Sequence, residues 1–245
     1  MFINGAEEVA SVGARDLIAQ LGSEHDVAFS CEGPGQVDQL RLTTTGIQLA
    51  ILQVKGRASH AGSAPEQGRN ALYELAHQMM QMRDLSDPER QVKVNWTVAN
   101  AGSVFNAIPE NAKAVADMRA NDVKNFEGVE TEMRRRIQNT LIPDTTATIR
   151  FERIFPPMPL REQTQRVGLQ AQQVYAEIGL KLPVNEVPSG GGTDAAFAAL
   201  RTDAPVLEGF GLRNFGSHSS NAEYVEIGSI EPRLYLLARM IMVAR

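Results

Sequence analysis

Hydrophobic positions change period several times along this chain. Residues 47–55, built on the apolar-rich stretch Ile47–Val54, read as a buried strand, and Gly56–Gly62 follows as a loop. From about Asn70 to Met82, the residues Leu72, Leu75, Ala76, Met79 and Met80 recur at helical spacing. Val92–Val98 alternates apolar with polar, which predicts a half-exposed strand, and Ala112–Arg119 predicts another. Phe126, Val129, Met133 and Ile137 mark one face of a second helix, and Thr146–Arg153 reads as a strand. Residues 47–153 therefore predict β-α-β-β-α-β, the ferredoxin-like arrangement.

The flanks differ. Residues 1–46 predict a helix near Val12–Leu21 and a strand near Asp26–Ser30. Residues 161–245 predict a helix through Val167, Ala171, Val174 and Ile178, a Gly-rich turn, a short helix, a strand near Val206 and a terminal helix from Pro232. Alternating helices and short strands imply an α/β layer structure. The expected plan is an α/β domain formed by 1–46 and 156–245, interrupted by an inserted α+β domain at 47–155.

Composition narrows the functional classes. The 245 residues are 43% hydrophobic, enough for a sizeable core, and carry a formal charge of −5, which argues against a basic nucleic-acid binder. The apolar runs are too short to cross a bilayer, so no membrane partner is expected. One cysteine, Cys31, excludes an internal disulfide framework or a multi-cysteine zinc module, and is expected to be a buried, inert thiol. Met1–Glu8 lacks the basic and apolar regions of a signal peptide. The compartment stays open.

Four segments and one lone histidine carry candidate chemistry. In Asn4-Gly5-Ala6-Glu7-Glu8, the adjacent carboxylates fit a solvated helix start, or a metal ligand beside a proton acceptor. Glu32 follows the apolar run Val27–Phe29, past a strand's carboxyl end, where α/β folds keep ligands. His218 lies among small polar residues in a Gly-flanked loop, accessible as a core histidine is not. Ser189–Asp194, with three glycines, opens a helix and exposes N–H groups suited to a carboxylate or oxyanion. It lacks a P-loop lysine, and Asp194 reads as a helix cap. His60 sits in a loop of the inserted domain, while His25 and His77 are set aside as structural or solvent-facing. Asn106, Arg119 and Arg153 read as surface residues or as anchors for a substrate carboxylate.

Taken together, Asn4–Leu17, Lys55–Gly62, Ala101–Pro109, Ser189–Leu200 and Phe215–Val225 resemble, in order and spacing, the M20 metallopeptidases, and among them the glutamate carboxypeptidase branch. The resemblance implies a zinc-exopeptidase-like catalytic domain carrying an inserted ferredoxin-like dimerisation or lid domain. It implies Glu7 as general base, Glu8 and His218 as ligands of one zinc ion, and Glu32 as ligand of a second. It implies His60 as an oxyanion-stabilising lid histidine serving the partner subunit's active site. Asn106 and Arg119 would hold the substrate carboxylate across the dimer. Arg153 and the loop with Ser189, Gly191 and Gly192 would supply the remaining anchors.

Two departures modify that expectation. The family's His-x-Asp element and bridging Asp precede its Glu-Glu pair, which here stands at positions 7 and 8. The chain is therefore expected to be incomplete, to hold zinc weakly and to be inactive alone. Leu40 stands where the branch carries a lysine near the substrate side chain, so the implied hydrolysis of a C-terminal, glutamate-type amide bond is open to a more apolar side chain. The expected substrate is a small peptide or N-acyl amino acid, and the expected assembly a homodimer through the inserted domain. The alternatives are an N-acyl amino-acid deacylase or desuccinylase, and a non-catalytic dimerising remnant.

Overall fold

The first helix begins later than apolar spacing alone predicts. Glu7–Val9 forms a 3₁₀ turn, after which Ala10 and Ser11 take φ of 59° and 55°. Two left-handed residues in succession cannot continue a right-handed helix, so α1 spans Arg15–Ser23 rather than Val12–Leu21. The computed structural model describes residues 1–188, 190–219 and 221–244.

After α1 come β1 (Ala28–Ser30) and β2 (Leu40–Arg41). The middle of the chain holds β3 (Gly46–Lys55), β4 (Ser59–His60), α2 (Ala71–Gln81), β5 (Lys93–Ala101), β6 (Ala107–Ile108), β7 (Asn111–Ala120), α3 (Val123–Arg136) and β8 (Thr146–Phe155). The remainder holds α4 (Glu162–Ala176), β9 (Val184–Asn185), α5 (Asp194–Ala198), β10 (Val206–Glu208), β11 (Asn214–Phe215), β12 (Tyr224–Val225) and α6 (Ile230–Val243). These elements divide into two units, Met1–Gly46 with Phe155–Arg245, and Ile47–Ile154.

In the first unit the sheet order is β1-β10-β2-β9. β1 runs parallel to β10, with Ser30 opposite Glu208, so both strands deliver their carboxyl ends to one edge. Leu40, Leu42, Val167, Leu207, Leu236 and Met240 make an apolar core. Gly22 permits the contact of α1 with α5, because a Cβ there would meet the Ala198 carbonyl oxygen at 2.0 Å. A buried polar knot ties α6 to the sheet. Arg233 donates to the Asp38 carboxylate at 2.8 Å and to the Gly209 carbonyl at 2.6 Å. Tyr175 donates to the other Asp38 oxygen at 3.0 Å.

The second unit orders its strands β5-β7-β3-β8, with α2 and α3 packed through Leu75, Phe126 and Met133 onto one face. Alternation assigns the faces. Ala50, Leu52 and Val54 on β3, and Ala112, Ala114, Ala116 and Met118 on β7, point to the helices. A bulge between Trp96 and Val98 reverses the alternation of β5, turning Val98 and Asn100 outward. Asn70 and Asp122 cap the two helices by accepting backbone N–H groups. Glu74, fully buried on α2, accepts from the Leu141 and Ile142 N–H groups at 2.8 and 2.7 Å and from the Gln78 side chain at 2.7 Å.

Replacing Glu74 by Ala removes the acceptor of two partly buried N–H groups and is expected to cost about 1–3 kcal/mol in a denaturant unfolding series. Burial, and next the Asp38 carboxylate, push the Tyr175 phenol from 10.0 up to about 12. The folded chain thus keeps a proton that the unfolded chain loses first. Stability from this group is complete below pH 10 and drains away toward pH 12. Melting curves across that interval should show a shallower decline for Tyr175→Phe than for the parent.

Candidate active site

Carboxylates gather at the strand ends of the first unit. Glu32 lies two residues beyond β1, and Glu208 ends β10. Glu7 is pushed up to about 7, by burial first and then by Glu32, Glu8, Asp194 and Glu208. Glu32 is also raised, by burial and then by Glu208, Asp194 and Glu8, with Arg41 opposing. The shifts report a cluster in which each negative charge makes the next harder to form. His218 closes on it: its Nδ1 lies 3.8 Å from Glu8 Oε2, with both side chains exposed. Among the described residues no three His, Cys, Asp or Glu side chains form a ready cation shell.

The polypeptide that carries these groups is held from several sides. Asn4 Nδ2 donates to Asp194 Oδ2 and to Ser11 Oγ, each at 2.7 Å, and the fully buried Ser11 hydroxyl donates to Asp194 Oδ1. Asp194 thereby fastens the strained Ala10–Ser11 turn and the Glu7–Glu8 pair to the start of α5. This corrects the capping role expected of Asp194. Thr193 occupies the N-cap position, without a side-chain cap bond, and its hydroxyl donates to Glu208 instead.

Arg41 organises the opposite wall. Its guanidinium donates to Glu208 Oε1 at 3.0 Å, to the Pro34 carbonyl at 2.7 Å and to the Gly33 carbonyl at 3.3 Å. The buried Glu208 is neutralised, and the loop after Glu32 is pinned by the same side chain. Asn214 braces that loop by accepting the Gly35 N–H at 2.8 Å, while its amide donates to Ser217, the neighbour of His218. Gly211 passes so close that a Cβ would meet the Cys31 carbonyl oxygen at 2.2 Å, and its N–H donates to the Glu32 carbonyl. His218 itself has φ of 65°.

The other predicted residues are distributed as follows. Leu40 is fully buried in the apolar core, so it lines no site; strand alternation turns Arg41 toward the carboxylates instead. Cys31 is exposed rather than buried as expected, though partial desolvation of its sulfur and then the Glu32 carboxylate raise the thiol above its ordinary pKa. Gly190 has φ of 95° and donates to Thr45 Oγ1 at 3.1 Å, Thr45 N–H returns a bond to the Gly191 carbonyl, and half-buried Gly192 follows. A side chain at Gly191 would meet nothing within 4 Å, so the loop presents open backbone. Ser189 lies outside the described residues.

In the second unit β4 pairs with β6, setting His60 opposite Ala107, and the Ala61 N–H donates to the Asn106 carbonyl at 2.9 Å. His60 and Asn106 therefore share one exposed ribbon. His60 Nδ1 accepts N–H groups from Gly62 and Ser63, both at 3.1 Å, which leaves the proton of the neutral ring on Nε2, pointing away. Arg119 is not beside them. It lies toward the far end of β7, roughly 25 Å along the strand from Asn111, and is held bidentately by Asp117 at 2.7 and 2.8 Å. Arg153, exposed on β8, donates to Gln48 at 3.4 Å.

Asp194, Glu208 and Arg41 are the participants that sequence reasoning missed. Glu208 had a usable signal: like Glu32, it is a single carboxylate ending a short apolar strand.

Known proteins resemble this chain in sequence and fold. Residues 42–145 match the M20_dimer family, a peptidase dimerisation domain. Likeness to known proteins extends beyond that domain to nearly the whole chain. It is 38% identical to carboxypeptidase G2 of Pseudomonas sp. (strain RS-16) over 243 residues, covering 99% of this chain and 58% of that protein. It is 28% identical to a p-aminobenzoyl-glutamate hydrolase homologue of Haemophilus influenzae, covering 93% and 50%. The chain thus spans between half and three-fifths of these relatives. The Bacillus subtilis YXEP protein, described as a dinuclear metal-binding peptidase of the M20 family, superposes with a TM-score of 0.71 at 16% identity, covering 96% of this chain and 62% of that one.

Asp194→Ala removes the acceptor for both Asn4 and Ser11. Amide hydrogen exchange of residues 5–11 is expected to accelerate at least tenfold while the Phe126 core is unaffected. Unchanged exchange there would mean that the turn is held by other contacts.

Proposed function

We propose that this chain supplies the general base and part of the metal shell of a zinc-dependent amide hydrolase releasing a C-terminal amino acid of glutamate type. The observation that carries the reading is the approach of Glu8 and His218, from opposite ends of the chain, to 3.8 Å beside Glu7. Carboxylate and imidazole are donors that zinc accepts, and mutual repulsion in the cluster is what a cation would relieve. In this reading Glu8 and His218 hold one ion and Glu32 the other. Three donors fall short of the three or four each ion takes, so the chain alone binds zinc weakly and further donors come from outside these 245 residues. When bound, the metal pair polarises the scissile carbonyl and acidifies water.

The protein's own groups then divide the work. Glu7 takes a proton from the attacking water as its oxygen bonds to the carbonyl carbon, and returns it to the leaving nitrogen as the C–N bond breaks. The partner subunit's His60 donates Nε2–H to the carbonyl oxygen as it gains negative charge. Asn106, Arg153 and the open backbone of Gly191 and Gly192 orient the substrate carboxylate; Arg119, held by Asp117 toward the far end of β7, stands apart from the ribbon that carries Asn106. Pairing of two chains through the unit Ile47–Ile154 rests on the dimerisation-domain match. Burial of Leu40 in the core removes the reason to expect an apolar substrate side chain, and the relative named as a p-aminobenzoyl-glutamate hydrolase homologue favours the glutamate class.

In an enzyme that also carries the further metal donors and is loaded with zinc, Glu7→Gln should lower kcat on p-aminobenzoyl-glutamate by about a hundred- to ten-thousand-fold with zinc content unchanged. His218→Ala should lower the zinc content itself, measured by elemental mass spectrometry. A Glu7→Gln enzyme of parental rate would remove the base assignment. Faster turnover of an N-succinyl amino acid would move the activity to deacylation.

A further inference from the structure

The helix-free face of the second unit's sheet carries charge unevenly. At one end its arginines are neutralised by carboxylates two residues away on the same strand. Arg119 pairs with Asp117 at 2.7 Å on β7, and Arg150 with Glu152 at 3.1 Å on β8. At the other end the spacing recurs without the acid, because Lys113 is preceded by Asn111 and Lys55 by Gln53. Both lysines are exposed, on neighbouring strands, and among the described residues neither takes part in an ion pair. They border a hollow of about 650 Å³ whose wall also includes Asn100, Thr146 and Thr148 and contains no carboxylate. The bulge in β5 is what turns Asn100 onto this face.

We propose that this hollow is a binding site for a small dianion. Two ammonium groups supply the charge, and amide and hydroxyl groups from all four strands supply donors. Its volume lies in the range of small-molecule sites. The wall between these two cations holds no acid although the chain as a whole is acidic, which concentrates positive potential there. The ligand is a compact doubly charged oxyanion, drawn from dicarboxylates or from phosphate. The site is independent of the hydrolytic reading, since it requires neither the metal nor the groups on the β4–β6 ribbon.

The test uses the whole chain, freed of metal and chelator, titrated at low salt with glutarate and separately with inorganic phosphate. Calorimetry and amide chemical shifts are the readouts. Saturable binding of one molecule per chain is expected, with shifts at Asn100, Asn111 and Thr148. The Lys55→Gln/Lys113→Gln double variant should bind about tenfold more weakly or worse, with the melting temperature unchanged. Glutarate binding alone identifies the dicarboxylate source, phosphate alone the phosphate source, and binding of both a site reading charge and size. Failure of both anions to bind, or parental affinity in the double variant, overturns the proposal.

Discussion

Repulsion among like charges is the constraint around which the first unit is organised. Glu7, Glu8, Glu32, Asp194 and Glu208 lie close enough to raise the proton affinity of Glu7 toward neutrality. The fold tolerates them because two of the five, Glu208 and Asp194, are themselves engaged by partners that hold the walls in place. Arg41 neutralises Glu208 while pinning the loop after Glu32. Asp194 spends its oxygens on Asn4 and Ser11. Arg233, buried under α6, grips both Asp38 and the carbonyl next to Glu208. Positions are thereby fixed while charge is left unsatisfied, which is the condition for receiving cations rather than merely attracting them.

Much of the architecture is legible in the sequence because it depends on short-range periodicity. The alternation through Ala112–Arg119 and the helical spacing from Asn70 to Met82 appear as β7 and α2, shifted by a residue at each end. Where the pattern misleads, the cause is backbone or long-range. No pattern of side chains announces the left-handed pair at Ala10 and Ser11, so apolar spacing starts α1 three residues early. Asp194 looks like a cap from its neighbours, yet its partners are about 180 and 190 residues away. Leu40 and Arg41 show the same limit. Alternation tells which of two adjacent residues faces the other way, but only the assembled sheet says which face holds the carboxylates.

The second unit uses the two faces of one sheet for different ends. The helix side is filled by Ala, Val, Leu and Met and gives the unit its stability. The open side mixes polar residues with Val98 and Val115, and a single inserted residue in β5 decides what its edge presents. Because the apolar and polar sets sit on alternate residues, either face can change without disturbing the other. That separation suits a unit whose relatives serve as peptidase dimerisation domains.

The ring of His60 has its Nδ1 occupied twice over, by the Gly62 and Ser63 N–H groups. The inward nitrogen is thereby committed to backbone two and three residues further along the same ribbon, and the atom the ring turns outward is Nε2. The orientation of an exposed side chain is set locally, within a four-residue stretch of chain.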